Sequence, residues 1–430
     1  MGLPKFISNN VVLKITSLNA VVIAIRLVVS VFIQRLFAVL LGEAGIASIG
    51  QIRNVMVMLT STSTLGIFSG VVKYVAEYKE NKPELVKMFS TATVFVLSGS
   101  LISALLLFFG ADYFSNYLFA NTEFSYAFKL LAVIIPFIAI NRTLNAIVNG
   151  LSDYKKYAII ELVSYLLATV AILIGLYNLN LDGVIIAIAL APVIQLVVLG
   201  FVFGKKLKKI LPLKKLNFSL GYRNKLFAFT LMSFVSAFLL NYIEINIRTR
   251  VATEININEA GYWTAVSFIS KNYMVFASGL FTLYVIPRFA NIHTKGGFKK
   301  EVLKIYKTIL PIFGLGMLLV YLLRNIIIDL IYPDFKGMEP LFKWQLLGDF
   351  IRLCALVLAH QFLAKRLVKS FLVTEIISLV LFYVLTIVFI KIYDTEGIVI
   401  AHFVRYIIYF VLVAFLIWVY YSNKTNQNIK

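Results

Sequence analysis

Charge is scarce in this chain. Of its 430 residues only 14% are Asp, Glu, Lys or Arg, against about 25% in soluble domains, and mean hydropathy is +0.89. Such a sequence is not a soluble globular protein. Cysteine is nearly absent as well. The single Cys354 sits in an apolar run, which excludes an intrachain disulfide and reads as core packing. Three histidines, His293, His360 and His402, are scattered without metal-ligand spacing. No Walker loop and no Gly-x-Ser-x-Gly elbow occurs, so the motifs of soluble enzymes are missing and no cofactor is called for. The first apolar stretch, Val11 to Leu41, is too long for the core of a secretory signal and lacks a small-residue cleavage site.

Long apolar runs are what the chain has in abundance: 60% of it is hydrophobic. A bilayer-spanning helix needs about 20 such residues. Reading the runs against their breakers predicts an all-α membrane protein of about twelve transmembrane helices. Pro136, Pro192, Pro287 and Pro311 fall within or at the ends of spans, where they can bend helices.

Loop charges set the orientation. Lys205, Lys206, Lys208, Lys209, Lys214, Lys215, Arg223 and Lys225 share one connection. The same side carries Lys79, Lys82 and Lys87; Lys155 and Lys156; Lys295, Lys299 and Lys300; and Lys365, Arg366 and Lys369. The intervening loops are acidic or mixed, with Glu43, Asp112, Glu123, Asp182, Glu254, Glu259, Asp329, Asp334, Lys336, Glu339, Asp394 and Glu396. Both termini are therefore expected in the cytoplasm. The net charge of +21 follows this topology, with lysines facing anionic headgroups, and no nucleic-acid partner is implied.

The chain also repeats itself. Glu43-Ala44-Gly45 recurs as Glu259-Ala260-Gly261; farther on, Lys155 matches Lys369, Glu161 matches Glu375, and "LDGVIIAIA" matches "TEGIVIAHF". The halves run in the same order with an even number of spans each. This predicts two six-helix lobes, 1–212 and 213–430, related by a pseudo-twofold along the membrane normal. Gly45 is read as the residue that permits the outer turn.

Charges inside spans cost about 2.5–3.5 kcal/mol each and invite a functional reading. Arg35 and Arg53 flank the first Glu-Ala-Gly step at similar distances, about 10–12 Å at 1.5 Å per residue. Arg248, Arg250 and Lys271 flank the second, and Arg142 and Arg352 lie well inside their spans. Arg248 also follows Glu244 by four residues, a spacing that allows an ion pair. Arg26 falls on the helix face opposite Arg35. The few interior carboxylates are Glu161, Glu244, Asp349 and Glu375. An excess of cations calls for a polyanionic partner, and Arg offers paired hydrogen bonds that match phosphate. Glu161, Glu375 and Asp349 are candidates for exchanging a coupled cation. His402 could relay protons, although packing is the simpler reading.

The stretches "LLGEAGIASIGQIRNVM", "GIFSGVVKYVAEY", "TLYVIPRFANI" and "KWQLLGDFIRL" resemble the bacterial lipid-linked oligosaccharide flippases of the multidrug/oligosaccharidyl-lipid/polysaccharide exporter superfamily. Within it the resemblance is to the O-antigen translocase and enterobacterial common antigen (lipid III) flippase group. It implies alternating access that moves undecaprenyl-pyrophosphate-linked sugars to the periplasmic leaflet of the bacterial inner membrane. It also implies membrane lipids, a polysaccharide polymerase and a chain-length regulator as partners. Arg35, Arg53 and Lys73 lie in matching stretches and carry over as substrate-binding residues. Two alternatives stand beside it: a cation-coupled multidrug exporter, whose site should be acidic and aromatic, and a membrane-embedded glycosyltransferase or polymerase, which needs a large hydrophilic loop.

Overall fold

The computed structural model describes residues 11–210, 217–292, 294–365 and 367–427. Lys214, Lys215, His293 and Arg366 lie outside the described residues, as does the 212–213 lobe boundary. Described secondary structure is helical throughout, without strands. In chain order the helices are α1 Val11–Thr62, α2 Phe68–Tyr78, α3 Lys82–Phe109, α4 Ala111–Phe119, α5 Ser125–Gly150 and α6 Tyr154–Ile210. There follow α7 Arg223–Ser233, a π-helix Phe234–Leu239, α8 Leu240–Glu254, α9 Ile257–Leu280, a π-helix Phe281–Val285 and α10 Ile286–Ala290. The last are α11 Lys295–Leu322, α12 Arg324–Ile331, α13 Leu341–Ala364, α14 Val368–Tyr393 and α15 Glu396–Gln427.

Among the described residues, nine helices are long and apolar enough to cross a membrane. Two of these, at 42 and 54 residues, contain non-helical residues and are long enough for two crossings each. In α1 the break is Gly42, at φ 63°. The expected turn glycine, Gly45, instead keeps helical geometry, and a side chain there would run into the Cβ of Leu41. Arg35 thus precedes the bend by seven residues while Arg53 follows it by eleven, so the two are not equally far from it. In α6 the break is Leu179–Asn180, with Asn180 at φ 49°. There the limbs approach so closely that a Cβ on Gly183 would overlap the carbonyl of Gly175.

The chain packs as two compact units. One comprises residues 1–36 and 48–245, the other 37–47 and 246–430. The first has a core of Val71, Val75, Met88, Phe89, Ala146, Ile160 and Phe203, joining α2, α3, α5 and α6. In the second, Phe342, Leu353 and Phe362 of α13 and Val399 and Val413 of α15 are fully or almost fully buried. Here Gly261, from the second Glu-Ala-Gly step, meets the backbone of Glu43, from the first.

Each unit builds its interior on the same backbone plan. α3 and α11 are both 28 residues long, and each starts on a side-chain cap, Asn81 for the Glu84 amide and Thr294 for the Gly297 amide. Each breaks at its end into a short helix, α4 or α12. Left-handed residues recur at a spacing of 214: Ala120 (φ 56°) with Asp334 (φ 75°), and Asn180 (φ 49°) with Asp394 (φ 48°). The glycine three residues after the latter pair also recurs. Gly183 faces the main chain of Gly175, and Gly397 faces that of Phe389, again 214 apart. The sequence repeat is therefore a repeat of backbone geometry within each unit.

Candidate functional site

In the first unit a polar chain crosses the helix interior. Arg26 of α1 donates to Glu161 of α6 at 3.0 Å. Gln195 donates to the same carboxylate at 2.7 Å, and Asn141 of α5 donates to Gln195 at 2.6 Å. Asn145 donates onward to Asn141 at 3.1 Å. The Arg26 guanidinium also lies over Tyr165, 4.9 Å from the ring centre. Arg142 is half-buried with its guanidinium 3.6 Å from the Phe68 ring centre. The carboxylate Glu161 is thus held by partners from two other helix segments, and Arg142 sits close enough to interact with it electrostatically.

Lys73 is exposed on α2, its ammonium 4.9 Å from the Tyr74 ring and 5.9 Å from Phe229. Lys225 lies over Tyr222, Tyr74 and Tyr78. An aromatic cluster therefore carries two cations in the first unit. Arg35 is exposed and Arg53 half-buried.

Between α1 and α2 runs a non-helical stretch, with Leu65 at φ 47° and Gly66 at φ 69°. Gly66 is pressed against Ser233 and the Thr230 carbonyl, where α7 passes into its π-helix. Ser61 and Ser233 hydroxyls meet at 3.1 Å. Gly99 of α3 lets the carbonyls of Thr62 and Ser63 come within 3 Å of where a Cβ would stand. Beside this break opens a cavity of about 670 Å³. Its wall includes Phe234, Phe238 and Tyr242, stacked at successive turns with ring centres 4.9 and 6.3 Å apart.

In the second unit the polar residues gather around Asp349, which is fully buried. Ser270 and Tyr273 of α9 donate to its Oδ2, as does Gln345 at 3.1 Å. His402 Nε2 of α15 is 3.1 Å from Oδ1, and Arg352 is 3.8 Å from it. Arg405 donates to Ser378 at 2.8 Å and stacks on Tyr406 and Phe382. One helical turn on, Tyr409 donates to Glu375 at 2.7 Å. Three further predicted cations belong to this unit. Arg248 is buried, donating to Thr264 at 2.8 Å under Trp263. Arg250 pairs with Glu254 at 2.9 Å, and Lys271 is exposed.

Sequence reasoning placed Arg26 off the site and saw no role for Gln195, Tyr273 or Arg405. One signal was available. Gln195 and Tyr409 are 214 apart, as are Glu161 and Glu375, and both hydrogen bonds measure 2.7 Å. The repeat conserves an acid-to-donor contact, not only a charge.

Asp153, in the connection between α5 and α6, pairs with Lys206 at 2.8 Å. Burial pushes its pKa up, but the Lys206 hydrogen bond and charge outweigh this and hold it below the usual carboxylate range. A depressed folded pKa stabilises above the unfolded value near 3.9 and is lost as pH falls through the folded one. Asp153→Asn is therefore expected to lower the melting temperature of detergent-solubilised protein at neutral pH, by about 1 kcal/mol or less in stability. The gap should close on acidification below about pH 4. A gap that stayed constant there would assign the effect to packing.

The polysaccharide biosynthesis protein family matches residues 11–293. The lipid III flippase of Escherichia coli (strain K12) is 29% identical over 399 residues, 92% of this chain and 95% of that one. An inward-facing MATE-family multidrug transporter of the MOP superfamily superposes with a TM-score of 0.76 at 15% identity, covering 90% of this chain and 93% of its own. The lipid II flippase MurJ does so with 0.72 at 17% identity, covering 93% and 87%. These two likenesses fix the fold as that of a multi-helix transporter. With more than half its length inside one family's bounds, the chain belongs to the polysaccharide biosynthesis protein family.

Proposed function

We propose that this protein is a flippase for lipid-linked oligosaccharides in the bacterial inner membrane. The observation that carries the reading is the near full-length likeness to a lipid III flippase, joined to predicted spans whose sequence holds more cations than carboxylates. The substrate is an undecaprenyl-pyrophosphate-linked repeat unit for a surface polysaccharide, O-antigen or enterobacterial common antigen. It moves from the cytoplasmic to the periplasmic leaflet by alternating access of the lobes 1–212 and 213–430, with both termini in the cytoplasm.

Each part of such a lipid finds matching chemistry. Arg35, Arg53 and Lys73 bind the diphosphate, with Arg142, Arg248, Arg250, Lys271 and Arg352 as further cations along its path. Guanidinium groups suit a diphosphate because they donate two parallel hydrogen bonds. The aromatic cavity of the first unit suits an apolar chain. Glu161, Glu375 and Asp349 are the carboxylates available for cation coupling. A polymerase and a chain-length regulator would act on the exported unit. A drug exporter for organic cations is disfavoured by the sign of the interior charge.

Deleting the gene in its host and assaying both leaflets tests the reading. The expected result is loss of surface polysaccharide, with the lipid-linked unit accumulating in the cytoplasmic leaflet and both defects reversed by the plasmid-borne gene. Normal surface glycan and no accumulation, in a strain without a second homologue, would overturn it.

A further inference from the structure

The repeat supplies an internal control for the buried cluster around Asp349. Subtracting 214 gives the residue each member has in the first unit. Asp349 corresponds to Ile135, Gln345 to Leu131, Arg352 to Ile138, His402 to Ile188 and Arg405 to Ala191. Leu131, Ile135, Ile138 and Ile188 are buried there as ordinary apolar core. The shared backbone plan therefore folds with hydrocarbon at these positions, and helix packing alone does not require the polar set. Placing a buried acid, an imidazole, the buried Arg405 and the half-buried Arg352 in a membrane interior carries a cost that the first unit avoids at these positions. Gly348 sharpens the contrast. A Cβ there would collide with the His402 ring, and its counterpart is Ile134. The second unit has made room for the imidazole.

We propose that Asp349 and His402 form a proton-binding pair in the second unit that links substrate movement to proton movement. The proposal rests on the flippase reading and narrows its coupling site to one pair. His402 Nε2 stands 3.1 Å from Asp349 Oδ1, and its side chain is 12% exposed while that of Asp349 is not exposed at all. The imidazole is thus the more accessible member of the pair, and the carboxylate is fully enclosed.

The groups facing the pair come from four helices. Tyr273 and Ser270 belong to α9, Gln345 and Arg352 to α13, Glu375, Ser378 and Phe382 to α14, and Arg405, Tyr406 and Tyr409 to α15. Lys271, beside Ser270 in the chain, is exposed. Two carboxylates, Asp349 and Glu375, stand with two guanidiniums, Arg352 and Arg405. The cluster is neutral when His402 is neutral and gains one charge when it is protonated. Neutral imidazole carries a proton on one ring nitrogen; uptake protonates the other, so that both are donors and Nε2–H faces Oδ1 beside the longer Arg352 contact. A local shift of the His402 or Asp349 side chain that lengthens the Nε2–Oδ1 contact favours returning the proton to water. Proton uptake in one arrangement and release in the other is the requirement for coupling.

The test reconstitutes the full chain in vesicles holding a pH-sensitive dye. The lipid-linked oligosaccharide, purified from a strain lacking the gene, is then added. Wild type should flip the lipid and move protons with it. His402→Gln and Asp349→Asn should lower the substrate-dependent proton signal about tenfold or more, while lipid binding and the melting temperature stay near wild type. His402→Gln carrying the full proton signal would overturn the proposal. So would wild type flipping the lipid with no proton signal, which leaves the flippase reading standing. Failure of wild type to flip the lipid at all would instead overturn that reading. If Asp349→Asn unfolds, the result rests on His402→Gln, whose side chain is partly exposed where that of Asp349 is not.

Discussion

Gly183→Val is expected to remove folded protein from the membrane. In α6 the limbs on either side of Asn180 lie so close that any Cβ at position 183 overlaps the main-chain carbonyl of Gly175. A rigid backbone atom cannot swing aside as a side chain does. Overpacking with flexible neighbours already costs about 1–3 kcal/mol, and here a whole helix must shift. Relief by opening the hairpin would disturb Gln195, whose bond to Glu161 depends on the returning limb. Size-exclusion profiles of a fluorescent fusion in detergent measure the outcome. A monodisperse peak at wild-type height for Gly183→Val would show that the hairpin opens without penalty. Gly200→Val, where no atom lies within 4 Å of the added Cβ, serves as the control that should be tolerated.

The combined Arg35→Ala and Arg53→Ala variant is expected to lose export at normal protein level. A hydrogen bond to a charged group contributes about 1.5–3 kcal/mol. Loss of one such bond from each residue should therefore weaken diphosphate binding about 100-fold or more. Neither residue is in a buried core, Arg35 being exposed and Arg53 half-buried, so truncation leaves no large void. Lysine at both positions keeps the charge and loses the paired donors, and should restore part of the activity. Complementation of a deletion strain, with membrane protein quantified in parallel, reads all three. Full surface polysaccharide from the double alanine variant would remove both residues from the substrate path.

The fold was legible wherever it depended on composition and period. Apolar run length gave the spans, and the 214-residue offset seen in Glu161 and Glu375 proved to be a repeat of turns as well, down to Asn180 and Asp394. Local backbone choice was less legible. Gly45 was expected to make the first bend, but Gly42 makes it, because either glycine suits a turn and sequence does not say which takes the positive φ. Side-chain partners were the hardest to read. Arg26 and Glu161 are 135 residues apart, and Asp349 and His402 are 53 apart. Helical periodicity ranks faces within one helix and carries no information about which face of another helix meets it. The neighbours of His402, Asp349 and Gly348, lie on a different helix, and nothing beside it in the chain points to them.

The broken ladder of residues 63–67 and the π-helix Phe234–Leu239 lie against each other, joined by Gly66, Ser61 and Ser233. Regular helices resist bending because each amide is tied one turn back. A stretch already released from that pattern loses fewer such bonds when it bends further. Two neighbouring helices of the first unit thus have their compliance at the same level, beside a cavity that changes shape whenever they flex.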